Sequence, residues 1–243
     1  MEITTTTIRL RVSGGEMRCH QAQPRAQGKF PAVIVIMEAF GLNDHIKDVT
    51  ERLAQEGYVA IAPDLYSRQS SNVVGYDQVP AAIALMQTLA DDSVIADVQC
   101  VLSHLRAQNI VNADRVGITG FCMGGRVAFL VACKVPDEIK AVVSFYGGGI
   151  AGDSPTAPLN SAGALQAAML CFFGENDPYI ALSQVKKIEE TLRSLGKTFE
   201  IKVYPGADHG FFCDERESYH AEAAKDAWEK MTAWFERSLK GRK

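Results

Sequence analysis

The sequence predicts a single α/β domain over residues 1–243, with a mostly parallel, doubly wound sheet and helices on both faces. Two observations lead to this prediction. Continuous apolar runs of strand length indicate strands that are covered on both faces, and these runs alternate with segments of helical periodicity. The sequence also contains no repeat, low-complexity tract or linker at which the chain would divide.

The first part of the chain predicts an antiparallel edge followed by a βαβ unit. Residues 4–12 alternate in polarity, and a glycine turn leads to a second short strand near residues 17–21. Residues 32–37 form an apolar run without polar alternation, as expected for a central parallel strand. Apolar residues at helical spacing predict a helix over residues 43–55, and a further strand follows at residues 58–62.

The remainder continues the same alternation. Residues 68–77 are polar and form a candidate substrate-side loop, helical periodicity follows Val79, and residues 91–93 offer N-cap chemistry for the next helix. The further predictions are strands at residues 116–119, 141–145, 168–173 and 199–204, and helices at about 126–133, 183–195 and 221–239. Residues 147–163 are rich in Gly, Pro, Ser and Ala, which favours a long surface loop over a domain boundary.

Composition and charge argue against several classes of protein. The formal net charge is −4 and the pI is about 5.8, so the chain has no cationic excess with which to bind nucleic acid or an acidic membrane surface. The sequence has no basic segment followed by a long apolar stretch, and no apolar run of bilayer length. We therefore expect a cytoplasmic protein with reduced cysteines, either a monomer or a small homo-oligomer.

A five-residue motif joins a predicted strand to a predicted helix. Residues 120–124 have the spacing of a nucleophile elbow, with Cys122 in place of the usual serine. An elbow forces its central residue into a strained backbone conformation and brings strand and helix close together, so the residues two before and two after need almost no side chain. Gly120 and Gly124 meet this requirement, and Cys122 is therefore the candidate nucleophile.

A cysteine nucleophile requires a base, and His209 lies in the most suitable position. It follows the predicted strand 199–204, and catalytic groups in open α/β sheets collect at the carboxyl ends of strands. His45, in the first turn of a predicted helix, is the second choice. The other three histidines lie on the predicted edge or in and near helices.

The imidazole in turn requires an acid that holds its tautomer. Asp177 lies in the loop after the predicted strand 168–173, which makes the chain order nucleophile, acid, histidine, as in α/β-hydrolases. Asp208 is a rival, but adjacent residues in an extended loop commonly point apart. Glu175 is a second rival.

Four separated motifs resemble the dienelactone hydrolase (carboxymethylenebutenolidase) family over nearly the whole chain. They are residues 37–43 (MEAFGLN), 62–66 (APDLY), 120–125 (GFCMGG) and 209–211 (HGF). The resemblance implies an α/β-hydrolase fold and a triad of Cys122, Asp177 and His209. It also implies that Glu38 lies beside the thiol and takes part in its activation, whereas the residues alone leave a capping or solvated carboxylate equally open.

Attack of a thiolate on an ester or lactone forms a tetrahedral oxyanion, which requires two hydrogen-bond donors. The elbow supplies the backbone N–H of Met123, and the loop after strand 32–37 is expected to supply that of Ala39, as the resemblance also implies. We expect no metal and no other cofactor, because the sequence lacks an HExxH motif and zinc-like cysteine spacing.

The expected substrate is a small ester or lactone. Members of the family that this chain resembles hold a substrate carboxylate with arginines after the DLY motif and after the catalytic histidine, but here residues 73–89 and 210–215 contain no Arg. Arg68 and Arg216 are the candidate replacements. The alternatives are a thioesterase or other acyl hydrolase, an inactive ligand-binding homologue, and thiol redox chemistry with Cys213 as the resolving residue.

Overall fold

Eight strands form the framework of the part of the chain that the structure describes. A computed structural model describes residues 1–69 and 72–241. The strands are β1 (Ile3–Val12), β2 (Gly15–Pro24), β3 (Phe30–Ile36), β4 (Val59–Pro63), β5 (Val111–Phe121), β6 (Ala141–Phe145), β7 (Ala168–Gly174) and β8 (Phe199–Tyr204). Their order in the mixed sheet is β1-β2-β4-β3-β5-β6-β7-β8. The predicted α/β fold class is confirmed.

Helices separate most of the strands along the chain. They are α1 (Asp44–Gln55), α2 (Val79–Met86), α3 (Asp91–Arg106), α4 (Met123–Lys134), α5 (Leu182–Ser194) and α6 (Ala221–Phe235), with a 3₁₀ helix at Pro158–Ala164 and a π turn at Glu236–Lys240. Over the described ranges, no single helix is long and apolar enough to cross a membrane, and α2 and α3 meet that test only as a pair bent by 83°.

Two compact units are distinguished in the chain, Met1–Gly117 and Ile118–Lys243. In the first unit, β1 pairs antiparallel with β2, β2 pairs antiparallel with β4, and β3 pairs parallel with β4. The apolar run of β3 is buried from Pro31 onwards, as expected for a strand covered on both faces. Helix α1 follows, and Asn43 caps it by accepting a hydrogen bond from the Ile46 N–H at 3.2 Å.

In the second unit, β6, β7 and β8 are parallel neighbours. An aromatic cluster forms part of its core, with the ring of Phe145 at 4.6 Å from Phe121 and at 4.8 Å from both Phe172 and Phe212. Because β7 and β8 run in the same direction side by side, the loops that follow them leave the sheet at the same edge.

Several element boundaries differ from the prediction. Helix α4 begins at Met123, earlier than expected, because the N–H groups of Gly125 and Arg126 already donate to the Cys122 carbonyl. Helix α3 begins at Asp91 after an Ala90 that offers no side-chain cap, so residues 91–93 lie in the first turn, where acidic side chains interact favourably with the helix dipole.

Other expectations are met in part. The predicted loop over residues 147–163 contains most of the 3₁₀ helix. The closing helix, predicted over residues 221–239, ends at Phe235 and is followed by the π turn. The candidate loop over residues 68–77 includes Ser70 and Ser71, which lie outside the described residues. The division at Gly117 concerns compact units only, and the single domain over residues 1–243 stays a prediction.

Candidate active site

The turn between β5 and α4 holds Cys122 in an unusual backbone conformation. Its φ is 54° and its ψ is −118°, a region that residues other than glycine rarely adopt. The Cys122 N–H donates to the Phe145 carbonyl at 3.0 Å, which anchors the strained turn on β6. The residue is partly exposed at the start of the helix.

Glycines make this turn sterically possible. A Cβ at Gly120 would overlap the carbonyl oxygen of Gly124, so strand and helix approach too closely for any side chain there. A Cβ at Gly125 would lie 2.5 Å from the Phe145 carbonyl oxygen, which leaves no space on the β6 side either. The requirement deduced at Gly120 therefore holds, and Gly125 is a further constrained position that the five-residue pattern does not include.

The loops after β7 and β8 are joined by backbone hydrogen bonds. The Glu175 N–H donates to the Tyr204 carbonyl at 3.0 Å, and the Asn176 N–H donates to the Ala207 carbonyl at 2.9 Å. A Cβ at Gly174 would overlap the Ala207 carbonyl oxygen, so only glycine allows this approach. The result is a rigid pair of loops at one edge of the sheet.

This pairing brings Asp177 and His209 together, although they are 32 positions apart. His209 Nδ1 lies 2.7 Å from Asp177 Oδ2, and both side chains are almost completely buried. The second carboxylate oxygen, Oδ1, accepts a hydrogen bond from the Tyr179 N–H at 2.9 Å. Both oxygens of Asp177 are thus engaged, which holds the carboxylate in one orientation.

The two rival acids have other partners. Asp208 Oδ1 accepts a hydrogen bond from the backbone N–H of His209 at 2.6 Å, and its side chain is exposed. Glu175 Oε2 accepts from the Gly206 N–H at 3.1 Å. His45, the second choice from the sequence, is buried in the first turn of α1. Of the other histidines, His20 contacts Glu51 at 3.0 Å and His104 contacts Gln21 at 3.0 Å, each within the first unit.

The pKa of His209 is strongly perturbed. Burial alone would lower it, but hydrogen bonds with Asp177 and Cys122, and the negative charges of these two groups, raise the pKa from 6.5 to about 10. Because Nδ1 is bound to Asp177, Nε2 is the ring nitrogen that remains for Cys122. An imidazole between a carboxylate and a thiol can carry a proton from one reacting group to another.

Two tyrosines enclose the imidazole of His209. The ring centroids of Tyr146 and Tyr179 each lie 5.1 Å from that of His209, and both contacts are edge-to-face. Tyr146 is completely buried, whereas Tyr179 is 65% exposed. Neither tyrosine was expected from the sequence, and the available signal was an aromatic residue two positions after the predicted acid.

The remaining candidates of the first unit follow β3 and β4. Glu38 is completely buried and Ala39 is 7% exposed, both directly beyond the end of β3. The hydroxyl of Tyr66, from the DLY motif, donates to the Ala39 carbonyl at 3.2 Å. This bond restrains the loop from which the Ala39 N–H is expected to serve as a donor.

Arg68 is engaged within its own unit. Its guanidinium donates to both oxygens of Asp97, at 3.2 and 2.5 Å, and the Asp97 side chain is nearly buried. A cation held in this way is a poor partner for a substrate carboxylate. Arg216, in the second unit, is half-buried, with its guanidinium against Gly210, directly after His209.

Met123, the other candidate donor to the oxyanion, begins α4, so its N–H lies at the positive end of the helix dipole.

Comparisons with known proteins show which family the chain belongs to. The model of the dienelactone hydrolase family matches residues 17–239. The chain belongs to the dienelactone hydrolase family. The resemblance noted from the four motifs is thereby confirmed, and the chain is a hydrolase of the dienelactone hydrolase type, a class that acts on carboxylic ester bonds.

Individual members of the dienelactone hydrolase family are similar over most of their length. A candidate carboxymethylenebutenolidase of Synechocystis is 40% identical over 99% of both chains, and one of Methylorubrum extorquens is 36% identical over 94% of this chain and 79% of its own. The crystal structure of a candidate dienelactone hydrolase from Klebsiella pneumoniae has a TM-score of 0.89 and 40% identity, covering 97% of this chain and 99% of that one.

Proposed function

We propose that the protein hydrolyses a small carboxylic ester or lactone through a thioester on Cys122, with His209 as base and Asp177 as the acid that orients it. The observation that carries the proposal is the hydrogen-bonded series from Asp177 through His209 to Cys122, which ends at a strained elbow. Membership of the dienelactone hydrolase family supports the ester or lactone class.

In the first half-reaction, the sulfur of Cys122 attacks the carbonyl carbon while His209 holds the thiol proton. The carbonyl electrons move onto oxygen, and the backbone N–H groups of Met123 and Ala39 stabilise the resulting oxyanion. When the tetrahedral intermediate collapses, the carbon–oxygen bond to the alcohol breaks and His209 Nε2 gives its proton to the leaving oxygen. The product is a thioester on Cys122, together with a free alcohol when the substrate is an ester, whereas the alcohol of an opened lactone stays attached to the acyl group.

The second half-reaction regenerates the thiol. His209 takes a proton from water as the water oxygen attacks the thioester carbon, and the carbon–sulfur bond then breaks. The carboxylic acid leaves, and the proton remains shared between His209 and the sulfur. Asp177 keeps Nδ1 protonated and stabilises the imidazolium in both half-reactions, in agreement with the raised pKa of His209.

Glu38 has an auxiliary part in this proposal. Its carboxyl group is completely buried and directly precedes Ala39, whose N–H is one of the two oxyanion donors. The family resemblance implies a part for Glu38 in the activation of the thiol, and we assign to it the transfer of the thiol proton to His209 when substrate arrives. We do not assign substrate binding to Arg68, because Asp97 neutralises it, whereas Arg216 stays a candidate. The cytoplasmic location and the oligomeric state stay predictions from the sequence.

A substrate panel with a nucleophile variant tests the proposal. Small esters, lactones and thioesters are assayed with the wild type and with Cys122→Ala, whose fold is checked by circular dichroism. We expect hydrolysis of an ester or lactone by the wild type and a loss of at least about 10³-fold in the variant. Cleavage of thioesters alone would favour the thioesterase alternative. Wild-type rates in Cys122→Ala would overturn the assignment, and binding without hydrolysis would favour an inactive homologue.

A further inference from the structure

Tyr179 combines exposure to solvent with a contact to the candidate catalytic base. Its side chain is 65% exposed, the largest exposed fraction among the large hydrophobic side chains of residues 1–69 and 72–241. Its ring nevertheless contacts the buried imidazole of His209, with a centroid distance of 5.1 Å and an interplanar angle of 84°. The buried tyrosine on the same imidazole, Tyr146, is part of the core, so Tyr179 alone of this pair presents apolar surface to solvent.

The backbone around Tyr179 is held on both sides. Its own N–H donates to Asp177 Oδ1 at 2.9 Å, and the next residue, Ile180, is buried. The backbone position from which the ring reaches His209 is therefore set by the chain. A tyrosine presents a large contact area at low cost in conformational entropy, which suits a residue that meets a ligand.

The geometry also indicates which part of a substrate would reach this ring. His209 binds Asp177 through Nδ1, so Nε2 is the atom that gives a proton to the leaving alcohol. The leaving group must come within hydrogen-bonding distance of Nε2, and Tyr179 packs against the same imidazole. A substituent carried by the alcohol is thus brought next to the exposed face of Tyr179.

We propose that Tyr179 is a specificity-determining residue for the alcohol side of the substrate and selects esters or lactones with an apolar group on that side. The inference rests on the proposed function of Cys122, His209 and Asp177 and adds the substrate class to it. The exposed ring loses contact with water when an alkyl or aryl group covers it, which favours such substrates through the hydrophobic effect.

Two series of esters separate the alcohol side from the acyl side. Ethyl, butyl and hexyl acetate lengthen the alcohol, and ethyl acetate, ethyl butanoate and ethyl hexanoate lengthen the acyl group. The three alcohols have nearly equal acidity, so the chemical step changes little along the first series. The measurement is kcat/KM for each ester with the wild type, Tyr179→Ala and Tyr179→Phe.

We expect kcat/KM to rise along the alcohol series in the wild type. In Tyr179→Ala, the hexyl-to-ethyl acetate ratio should fall by about ten- to twentyfold, because roughly half of the added methylene surface loses its contact. Tyr179→Phe keeps the apolar ring and should retain the ratio within about twofold. The acyl series should keep its wild-type ratios in both variants. Tyr219→Ala, which removes a tyrosine that is 42% exposed, is the matched control and should leave both series unchanged.

The outcomes distinguish this inference from the proposed function. An unchanged hexyl-to-ethyl ratio in Tyr179→Ala, even with a lower overall rate, would mean that Tyr179 only supports His209 and would overturn the inference. A fall confined to the acyl series would place Tyr179 on the other side of the substrate and would overturn it equally. The proposed function is tested by Cys122→Ala on ethyl acetate: wild-type hydrolysis in that variant contradicts the proposed function whatever Tyr179 does.

Discussion

The imidazole of His209 is held by Asp177 through a bond of 2.7 Å between Nδ1 and Oδ2, at a place where both side chains are almost completely buried. The bond decides which ring nitrogen is available to Cys122, and it raises the pKa of the imidazole although burial would lower it. The contribution of Asp177 is therefore both geometric and electrostatic, and the two effects can be measured separately.

Replacing the acid by its amide tests the geometric effect. Asp177→Asn should lower kcat by about 10³- to 10⁴-fold, because an amide no longer holds the productive tautomer of the imidazole. KM should change little, since the carboxylate is buried and does not face substrate. Asp208→Asn is the matched control: its exposed carboxylate binds a backbone N–H, and we expect less than about a threefold loss. A larger loss in Asp208→Asn than in Asp177→Asn would show that the wrong acid is assigned.

The electrostatic effect is accessible by NMR titration of ¹³C-labelled histidine. We expect the ring of His209 to titrate near pH 10 and the Cys122→Ala variant to show a lower pKa, since it removes one of the two groups that raise it. Asp177→Asn should lower the pKa as well. A ring that titrates near 6.5 in the wild type would contradict the raised pKa.

The same shift has a consequence for stability. The pKa of His209 is higher in the folded protein, about 10, than its ordinary value of 6.5, so the stabilisation by its protonated form is complete below pH 6.5 and is lost as the pH rises through about 10. In urea unfolding, the free energy of unfolding of the wild type should exceed that of Asp177→Asn at low pH, and this difference should shrink between these pH values. A difference between the two proteins that does not depend on pH would contradict this.

Alkylation tests the accessibility of the candidate nucleophile. Burial raises the pKa of Cys19, Cys133 and Cys171 to about 12, so their thiols should react slowly with iodoacetamide near neutral pH. Cys122 is partly exposed and hydrogen-bonded to His209, and we expect it to carry the first equivalent of label as activity is lost. Peptide mapping locates the label. Complete inactivation with label only at Cys213 would contradict the assignment of Cys122 and make Cys213 the candidate nucleophile.

The elbow glycine provides a prediction about stability. Gly120→Ala should lower the free energy of unfolding by about 1–3 kcal/mol or more, because its Cβ would overlap the Gly124 carbonyl oxygen. Gly163→Ala is the matched control, since no atom lies within 4 Å of its Cβ position, and it should be nearly neutral. Both values come from urea unfolding at pH 7. Equal stability of the two variants would mean that the elbow relaxes without cost.

Glu38 is tested by comparing hydrolysis with alkylation. Glu38→Gln should reduce turnover by about 10²-fold if the carboxylate accepts the thiol proton. If Glu38 lies beside the thiol, as the family resemblance implies, removing its negative charge should leave the resting thiol no slower to react, so the pH profile of iodoacetamide alkylation should be unchanged or move to lower pH. Wild-type hydrolysis together with an unchanged alkylation profile would make Glu38 a structural residue.

The fold was largely predictable because its strands and helices carry local signals. The apolar run of β3 and the spacing of apolar residues in α1 both predict elements that the structure contains, and α1 begins one residue after the predicted start, with Asn43 as its N-cap. The start of α4 was predicted too late, since Gly124 and Gly125 are poor helix formers. They are tolerated there because strand and helix leave no space for side chains.

The candidate site was predictable as a set of positions and not as a set of contacts. Cys122 and His209 follow from the elbow spacing and from the place of the histidine after a late strand. The engagement of Arg68 by Asp97 could not be foreseen, because Asp97 lies on a helix 29 positions later in the chain. The contact of Tyr179 with His209 likewise depends on two separate loops.

The sequence alone determined the order of the strands and helices, the elbow with its central cysteine, and the loops in which acid and histidine lie, because each of these depends on residues close together in the chain. Only the tertiary structure decided that Asp177, and not Asp208 or Glu175, reaches the imidazole. That choice depends on side-chain direction, and the direction is set by the backbone hydrogen bonds that join the loops after β7 and β8. A pattern of residue types does not contain those bonds, since they form only when two distant strands lie side by side.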